Sequence, residues 1–139
     1  NGPAVDAEGR RVVVAWYTGS PSARVLVAFS DDAGATFGAP IRADLGEPQG
    51  RVDVVLLDSG AALVSWLEVT DGRGEIRLRE VTDSAGPVLR LAETSAARAS
   101  GFPRMARLGD RVLFAWTEAG DPPRVRTAVG RLTGAEAHR

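Results

Sequence analysis

An apolar run that ends in tryptophan occurs three times in this sequence, at a constant interval of 50 residues. The three runs are Val12–Trp16, Ala62–Trp66 and Val112–Trp116. The turn signals that precede them are Glu8-Gly9, Ser59-Gly60 and Gly109-Asp110. Each unit is therefore a short strand, a tight turn and a strand that closes on Trp. A period near 50 residues with several short strands per copy indicates radially repeated antiparallel sheets.

The alternation of apolar residues within each unit has a period of two, which excludes a solenoid of paired helices. We therefore predict an all-β chain made of β-propeller blades of four antiparallel strands. The chain would contain three blades, half of a six-bladed propeller. Residues 1–139 then divide into a first blade at about 1–46, a second at about 47–96, an incomplete third at about 97–133, and a tail at 134–139.

The strand pattern sets the expected bounds within the blades. The first blade is predicted to contain strands at about Ala4–Asp6, Arg11–Tyr17, Arg24–Phe29 and Ala39–Ala43. The second blade would open at Arg51–Leu57 and the third at Gly101–Met105, the latter ending after its third strand. Thirteen positions before each Trp are Pro3, Asp53 and Pro103, which we expect to occupy equivalent positions in the three blades. The apolar strands leading to Trp16, Trp66 and Trp116 favour packing between blades over the alternative, stacking of the rings on sugars.

Composition excludes several kinds of chemistry. All 17 basic residues are Arg, which excludes a lysine Schiff base and a P-loop lysine. Acidic and basic residues are mixed along the chain and the net charge is −1, so we predict neither nucleic-acid binding nor membrane insertion. The sequence has no Cys, which excludes disulfides and thiolate metal sites, and its one His, at position 138, argues against a Ser/His/Asp triad or a His-based zinc site. We expect no cofactor and no metal.

The octet Ser30–Phe37 predicts a hairpin loop whose polar groups hydrogen-bond to one another. An Asp at position 32 can accept from backbone amides a few residues on, Gly34 allows a positive φ, and the aromatic Phe37 would plug the sheet edge. A calcium loop is the weaker alternative, because Ala33 and Ala35 occupy ligand positions. The octet resembles the Asp-box, or bacterial neuraminidase repeat, whose five defined positions are matched by Ser30, Asp32, Gly34, Thr36 and Phe37. A degraded copy without the aromatic is predicted at Val81–Pro87.

With this octet and three blades, nearly the whole chain resembles the sialidase-like superfamily of six-bladed propellers, and specifically their last three blades. The resemblance implies a bacterial, extracytoplasmic protein, either periplasmic or secreted. In true sialidases three arginines clamp the substrate carboxylate, a Tyr paired with a Glu is the nucleophile, and an Asp is the acid/base. Arg51-Val52-Asp53 is similar to the Arg-Ile-Pro part of the family's arginine motif. The sole tyrosine, Tyr17, follows Trp16 and is not where the nucleophile is expected.

The strand order places the start of strand one and the end of strand two at one rim of a blade. Arg51 would lie there with Glu68, and Gly101 with Glu118, while Asn1 and Thr18 are the first-blade counterparts. The candidate ligand-binding residues are Arg51, Glu68, Arg104 and Glu118. Arg104 is expected to face the opposite way from Arg51. The alternative for Arg51 and Glu68 is a half-exposed ion pair worth about 0 to 1 kcal/mol.

Two functions remain open on this basis. The first is a glycan- or carboxylate-binding or scaffold module without a complete catalytic site in this chain. The alternative is the C-terminal half of an exo-sialidase-type glycoside hydrolase whose remaining catalytic residues lie upstream or in a partner chain. The expected partners are a second copy of the chain or its own missing N-terminal blades, because three blades leave two open faces, and a carbohydrate ligand.

Overall fold

The computed structural model describes residues 2–95 and 101–132. These residues form three antiparallel sheets in which neighbouring strands follow the chain order. The first contains β1 (Ala4–Glu8), β2 (Arg11–Thr18), β3 (Arg24–Ser30) and β4 (Ile41–Arg42). The second contains β5 (Pro48–Leu56), β6 (Ala62–Thr70), β7 (Arg73–Val81) and β8 (Ala85–Thr94). The third contains β9 (Arg104–Leu108), β10 (Arg111–Glu118) and β11 (Arg124–Arg131).

The three sheets stack face to face as propeller blades, so the predicted all-β fold class is confirmed. We call them the first, second and third blades. Two predictions lie outside the described residues, namely the tail at 134–139 with His138 and the placement of Asn1. Among the described residues, none belongs to a helix with the length and apolar character needed to span a membrane.

Two apolar clusters hold the blades together, one in each seam. The first lies between the first and second blades, where Val13 and Val27 meet Val64 and Trp66. The second lies between the second and third blades, where Leu63 meets Phe114. Because side chains of a strand alternate between the two faces of its sheet, one set of β6 residues faces the first blade and the other faces the third blade. We call the face toward the preceding blade the N-side face and the face toward the following blade the C-side face.

The observed strand pairing differs by one residue from the alignment of the innermost strands that the 50-residue interval predicts. Asp53 lies opposite Ser65, whereas the residues opposite Ala15 and Ala115, the counterparts of Ser65, are Ala4 and Arg104. Asp53 therefore corresponds in space to Ala4 and Arg104, and the predicted equivalence with Pro3 and Pro103 is wrong. The cause is the hairpin turn, which spans residues 57–61 in the second blade but only Gly9-Arg10 in the first.

Three predicted strand assignments also change. The second blade opens at Pro48, three residues before Arg51, and the third opens at Arg104 instead of Gly101. The fourth strand of the first blade shrinks to Ile41–Arg42. The predicted degraded Asp-box at Val81–Pro87 is a tight turn, closed by a 3.0 Å hydrogen bond from the Thr82 amide to the Ser84 carbonyl. It is shorter than the Ser30–Phe37 loop because β8 already begins at residue 85.

The three tryptophans occupy one equivalent position but differ in burial. Trp66 is fully buried in the first seam, and Trp116 packs partly buried against the second cluster. Trp16 is only partly buried and belongs to neither cluster. The reason is that Trp side chains lie on N-side faces, and the first blade has no described blade on that side.

Candidate functional site

The innermost strands β1, β5 and β9 begin at the same edge where β2, β6 and β10 end, and we call this edge the upper rim. Pro48 lies opposite Glu68 and Arg104 opposite Ala115, as expected for antiparallel pairs. The sequence-predicted residues Arg51, Glu68, Arg104 and Glu118 all lie along this rim. Their partners differ, and the differences decide which of them can meet a ligand.

Glu68 is occupied by internal hydrogen bonds. Its Oε1 accepts from Trp66 Nε1 at 2.7 Å and from the Leu45 amide at 3.1 Å, while Oε2 accepts from the Glu47 amide. The side chain is buried, with 2% of the residue exposed. Glu68 therefore fastens the connection between the first and second blades, and these contacts commit both of its carboxylate oxygens.

Arg51 sits in an irregular stretch of β5. The ladder shifts register between Gly50 and Asp53, and Arg51 itself adopts a φ of 54°. A bulge of this kind turns a side chain away from the direction that strict alternation would give it. The residue is 9% exposed, and burial lowers the pKa of its guanidinium. Both residues are buried, so the half-exposed setting expected for Arg51 and Glu68 is wrong.

Asp53 and Arg104 meet across the second seam. Arg104 Nε lies 3.5 Å from Asp53 Oδ2, and the same oxygen accepts the Met105 amide at 2.7 Å. The Asp53 side chain is 11% exposed and the Arg104 side chain is 76% exposed. This arrangement presents a guanidinium to solvent while its inner nitrogen is held by a buried carboxylate. Sequence reasoning missed Asp53 as a site residue because its partner lies 51 positions away in another blade.

The third blade completes this part of the rim. Glu118 accepts a hydrogen bond from Arg126 Nε at 3.1 Å, and both side chains are about half exposed. Phe102, two residues before Arg104, is 48% exposed. An exposed aromatic residue therefore precedes Arg104 by two positions at the start of β9. Of the predicted residues, the structure leaves Arg104 and Glu118 accessible and places Arg51 and Glu68 in the interior.

Two further ion pairs border the rim in the first and second blades. Asp44 accepts from Arg42 at 2.9 Å and from the Val25 amide at 2.8 Å. Burial pushes the pKa of Asp44 upward, but the Arg42 and amide hydrogen bonds outweigh it and the net shift is downward. Glu75 bonds Arg77 and Arg90, and these hydrogen bonds, that of Arg77 first, lower its pKa.

The Ser30–Phe37 loop lies at the opposite edge, where β3 ends. Thr36 donates its amide to Asp32 Oδ1 at 2.8 Å and its hydroxyl to Oδ2, and the Gly34 amide bonds Ser30 Oγ at 2.9 Å. Gly34 has a φ of 89°, as the sequence predicts. The hydrogen bonds from Thr36, followed by that from Ser30, lower the pKa of Asp32 to about 2. Phe37 is 45% exposed, so it does not plug the sheet edge as expected.

No group of three or more His, Cys, Asp or Glu residues within 2–95 and 101–132 has the geometry of a metal site. Both oxygens of Asp32 already accept from Thr36, which accounts for its place in the loop without a cation. An apolar cleft of about 590 Å³ opens between the outer strands of the second and third blades, lined by Leu78, Leu91 and Phe114 among others. Arg90, which bonds Glu75, also lines this cleft.

Comparison with known proteins shows a likeness in fold. A similar solved structure is the xylan beta-1,4-xylosidase from Bacillus Halodurans C-125, with a TM-score of 0.61 over 92% of this chain at 11% sequence identity. The chain spans 27% of the length of that protein. No protein-family model matches the sequence, and no curated protein matches it. The shared property is thus the β-sheet architecture.

Proposed function

We propose that the chain is a glycan-binding segment of an extracytoplasmic β-propeller, and that it binds an acidic sugar at the upper rim without hydrolysing it. The Asp53–Arg104 pair is the observation that carries this proposal. The fold likeness to a xylan-degrading enzyme adds a general link to carbohydrate. The resemblance of the Ser30–Phe37 octet to the Asp-box points in the same direction.

The chemistry of the pair suits a sugar carboxylate. An arginine presents a planar fork of donors that matches a carboxylate, and Arg104 keeps most of its side chain in solvent. Asp53 holds the Nε edge at 3.5 Å and so limits the orientations that the guanidinium can adopt. Phe102, two residues before Arg104 in the chain, is an exposed apolar residue, and sites for small molecules commonly combine apolar surface with a few polar groups.

The proposal assigns binding and not hydrolysis because of the position of the sole tyrosine. Tyr17 packs against the first apolar cluster, and its hydroxyl lies beside Gly19. Within the described residues, therefore, no tyrosine stands next to Asp53 or Arg104 to act as a nucleophile. A hydrolytic reaction would need groups that these residues do not supply.

The test is a titration of the full chain with three probes, followed by NMR chemical shifts or calorimetry. The probes are the methyl glycoside of N-acetylneuraminic acid, methyl glucuronide and neutral xylobiose. We expect the acidic sugars to bind and xylobiose not to bind, and Arg104→Ala to weaken binding at least 10-fold. Arg73→Ala is the matched control, since the Arg73 side chain is 74% exposed and belongs to the second blade. Equal binding by Arg104→Ala and the parent would refute the site, and release of the aglycone would refute the non-catalytic assignment.

A further inference from the structure

Equivalent positions on the C-side faces of the three blades differ sharply in exposure. The residues at one such position are Val13, Leu63 and Leu113, which the pairing register aligns. Val13 and Leu63 are 0% and 6% exposed, whereas Leu113 is 47% exposed. A second position, on the third strand of each blade, contains Val25, Ile76 and Val125, with exposures of 0%, 0% and 73%.

The N-side faces show the reverse order. Val5, Val54 and Met105 are aligned because each pairs with the residue two before the Trp of its blade. Val54 is 3% exposed in the first seam, and Met105 is partly buried in the second. Val5 is 66% exposed, and Trp16 on the same face lies outside both apolar clusters. At these positions the last C-side face and the first N-side face are therefore apolar like the internal seams, but they are exposed to solvent.

From this pattern we infer that the C-side face of the third blade docks on the N-side face of the first blade of a second copy, and that two copies close a ring through two such seams. At the positions compared above, each free face has apolar side chains whose equivalents are buried or partly buried inside the chain. In each seam within the chain, a C-side face packs against an N-side face. The proposed seam between two copies pairs the same two kinds of face. A two-fold axis along the centre of the ring satisfies both faces of both copies.

The area involved is sufficient for a stable dimer. Three strands about 4.8 Å apart and about 25 Å long present a flat face of about 350 Å². Two seams bring together four faces and bury about 1,400 Å² or more, which lies within the usual 1,200–2,000 Å² of stable complexes. A soluble monomer rarely exposes two apolar faces of this size. The inference rests on the apolar positions above and not on the sugar-binding proposal, although Arg104, which lies opposite Ala115, is at the upper-rim end of the same C-side face as Leu113.

The test is the mass of the full chain in solution, measured by light scattering and sedimentation across a dilution series. We expect twice the chain mass of 14.6 kDa at high concentration and the monomer on dilution. Leu113→Glu and Val125→Glu should each give the monomer at concentrations where the parent is dimeric, with unchanged far-UV circular dichroism. Leu45→Glu is the matched control, since Leu45 is 53% exposed in a connection outside both faces, and it should stay dimeric.

Fluorescence gives a second readout that does not depend on hydrodynamic shape. Trp16 should move into water when the dimer dissociates, so emission shifts to the red on dilution, and Trp16→Phe should remove most of this shift. A single species of 14.6 kDa, or a trimer or longer assembly, at all concentrations would overturn the inference. A dimer that survives both Leu113→Glu and Val125→Glu would also overturn it, because the contact would then lie elsewhere.

Discussion

The indole N–H of Trp66 donates a 2.7 Å hydrogen bond to Glu68 Oε1, two residues further along β6. The same carboxylate accepts the amides of Leu45 and Glu47, which belong to the connection that enters the second blade. One buried acid therefore fixes a tryptophan and the path of the chain between two blades. Glu68 therefore has a structural role, although its position at the upper rim would suit a ligand contact.

We predict that Glu68→Ala destabilises the fold strongly. The substitution leaves three donors near the interior without their acceptor, and each unsatisfied buried group costs about 1–3 kcal/mol, so a loss of about 3 kcal/mol or more is expected. Urea denaturation measures it. Glu118→Ala is the control at the equivalent position of the third blade, where the side chain is 46% exposed, and should change stability by less than about 1 kcal/mol. Similar losses for both variants would contradict the assignment.

Ser65→Ala should stabilise the protein. Ser65 Oγ is the one buried side-chain polar atom that lacks a hydrogen-bond partner within the described part of the chain. The equivalent positions in the other blades are Ala15 and Ala115, so the smaller side chain already fits this environment. Removing the hydroxyl should raise the free energy of unfolding by about 1 kcal/mol. A loss of stability in thermal denaturation would show that the hydroxyl is satisfied in solution.

The sequence predicts the three sheets well because their determinant is local. Alternating apolar residues that end in Trp specify strands buried on one or both faces, and the 50-residue interval repeats that pattern. The backbone at Arg51 could not be predicted, because its φ of 54° results from a bulge that the residue types do not encode. Asp53 was missed for a different reason. Its carboxylate acts on the Met105 amide of another blade, and only the stacking of the blades reveals that contact.

The Ser30–Phe37 loop should lose stability at low pH. The pKa of Asp32 is lowered from 3.8 to about 2 by the hydrogen bonds from Thr36 and then Ser30. Because the folded pKa is the lower one, the stabilising contribution is complete above about pH 4 and is lost as the pH falls through about 2. Carbon NMR titration of the Asp32 carboxyl measures the pKa directly. Thr36→Val should raise it toward 3.8, and an unchanged value would show that Thr36 is not the cause.

Arg107 links the third blade to both of the others at the edge opposite the upper rim. Its Nη2 lies 3.2 Å from Glu8 Oε2 in the first blade, and its Nη1 lies 3.2 Å from Asp58 Oδ1 in the second. The Arg107 side chain is only 17% exposed, which reduces screening by solvent. We predict a coupling of about 0.5–1 kcal/mol in a double-mutant cycle of Arg107→Met with Glu8→Gln.

Salt dependence separates this ion pair from a merely steric effect of the long arginine side chain. The coupling between Arg107 and Glu8 should fall by about half or more in 1 M NaCl, where the screening length is about 3 Å. The control cycle is Arg73 with Glu93, which are 3.7 Å apart with side chains 74% and 53% exposed, and it should give a coupling near zero at all salt concentrations. A coupling for Arg107 that does not respond to salt would mean that packing, and not charge, joins the first and third blades at this edge.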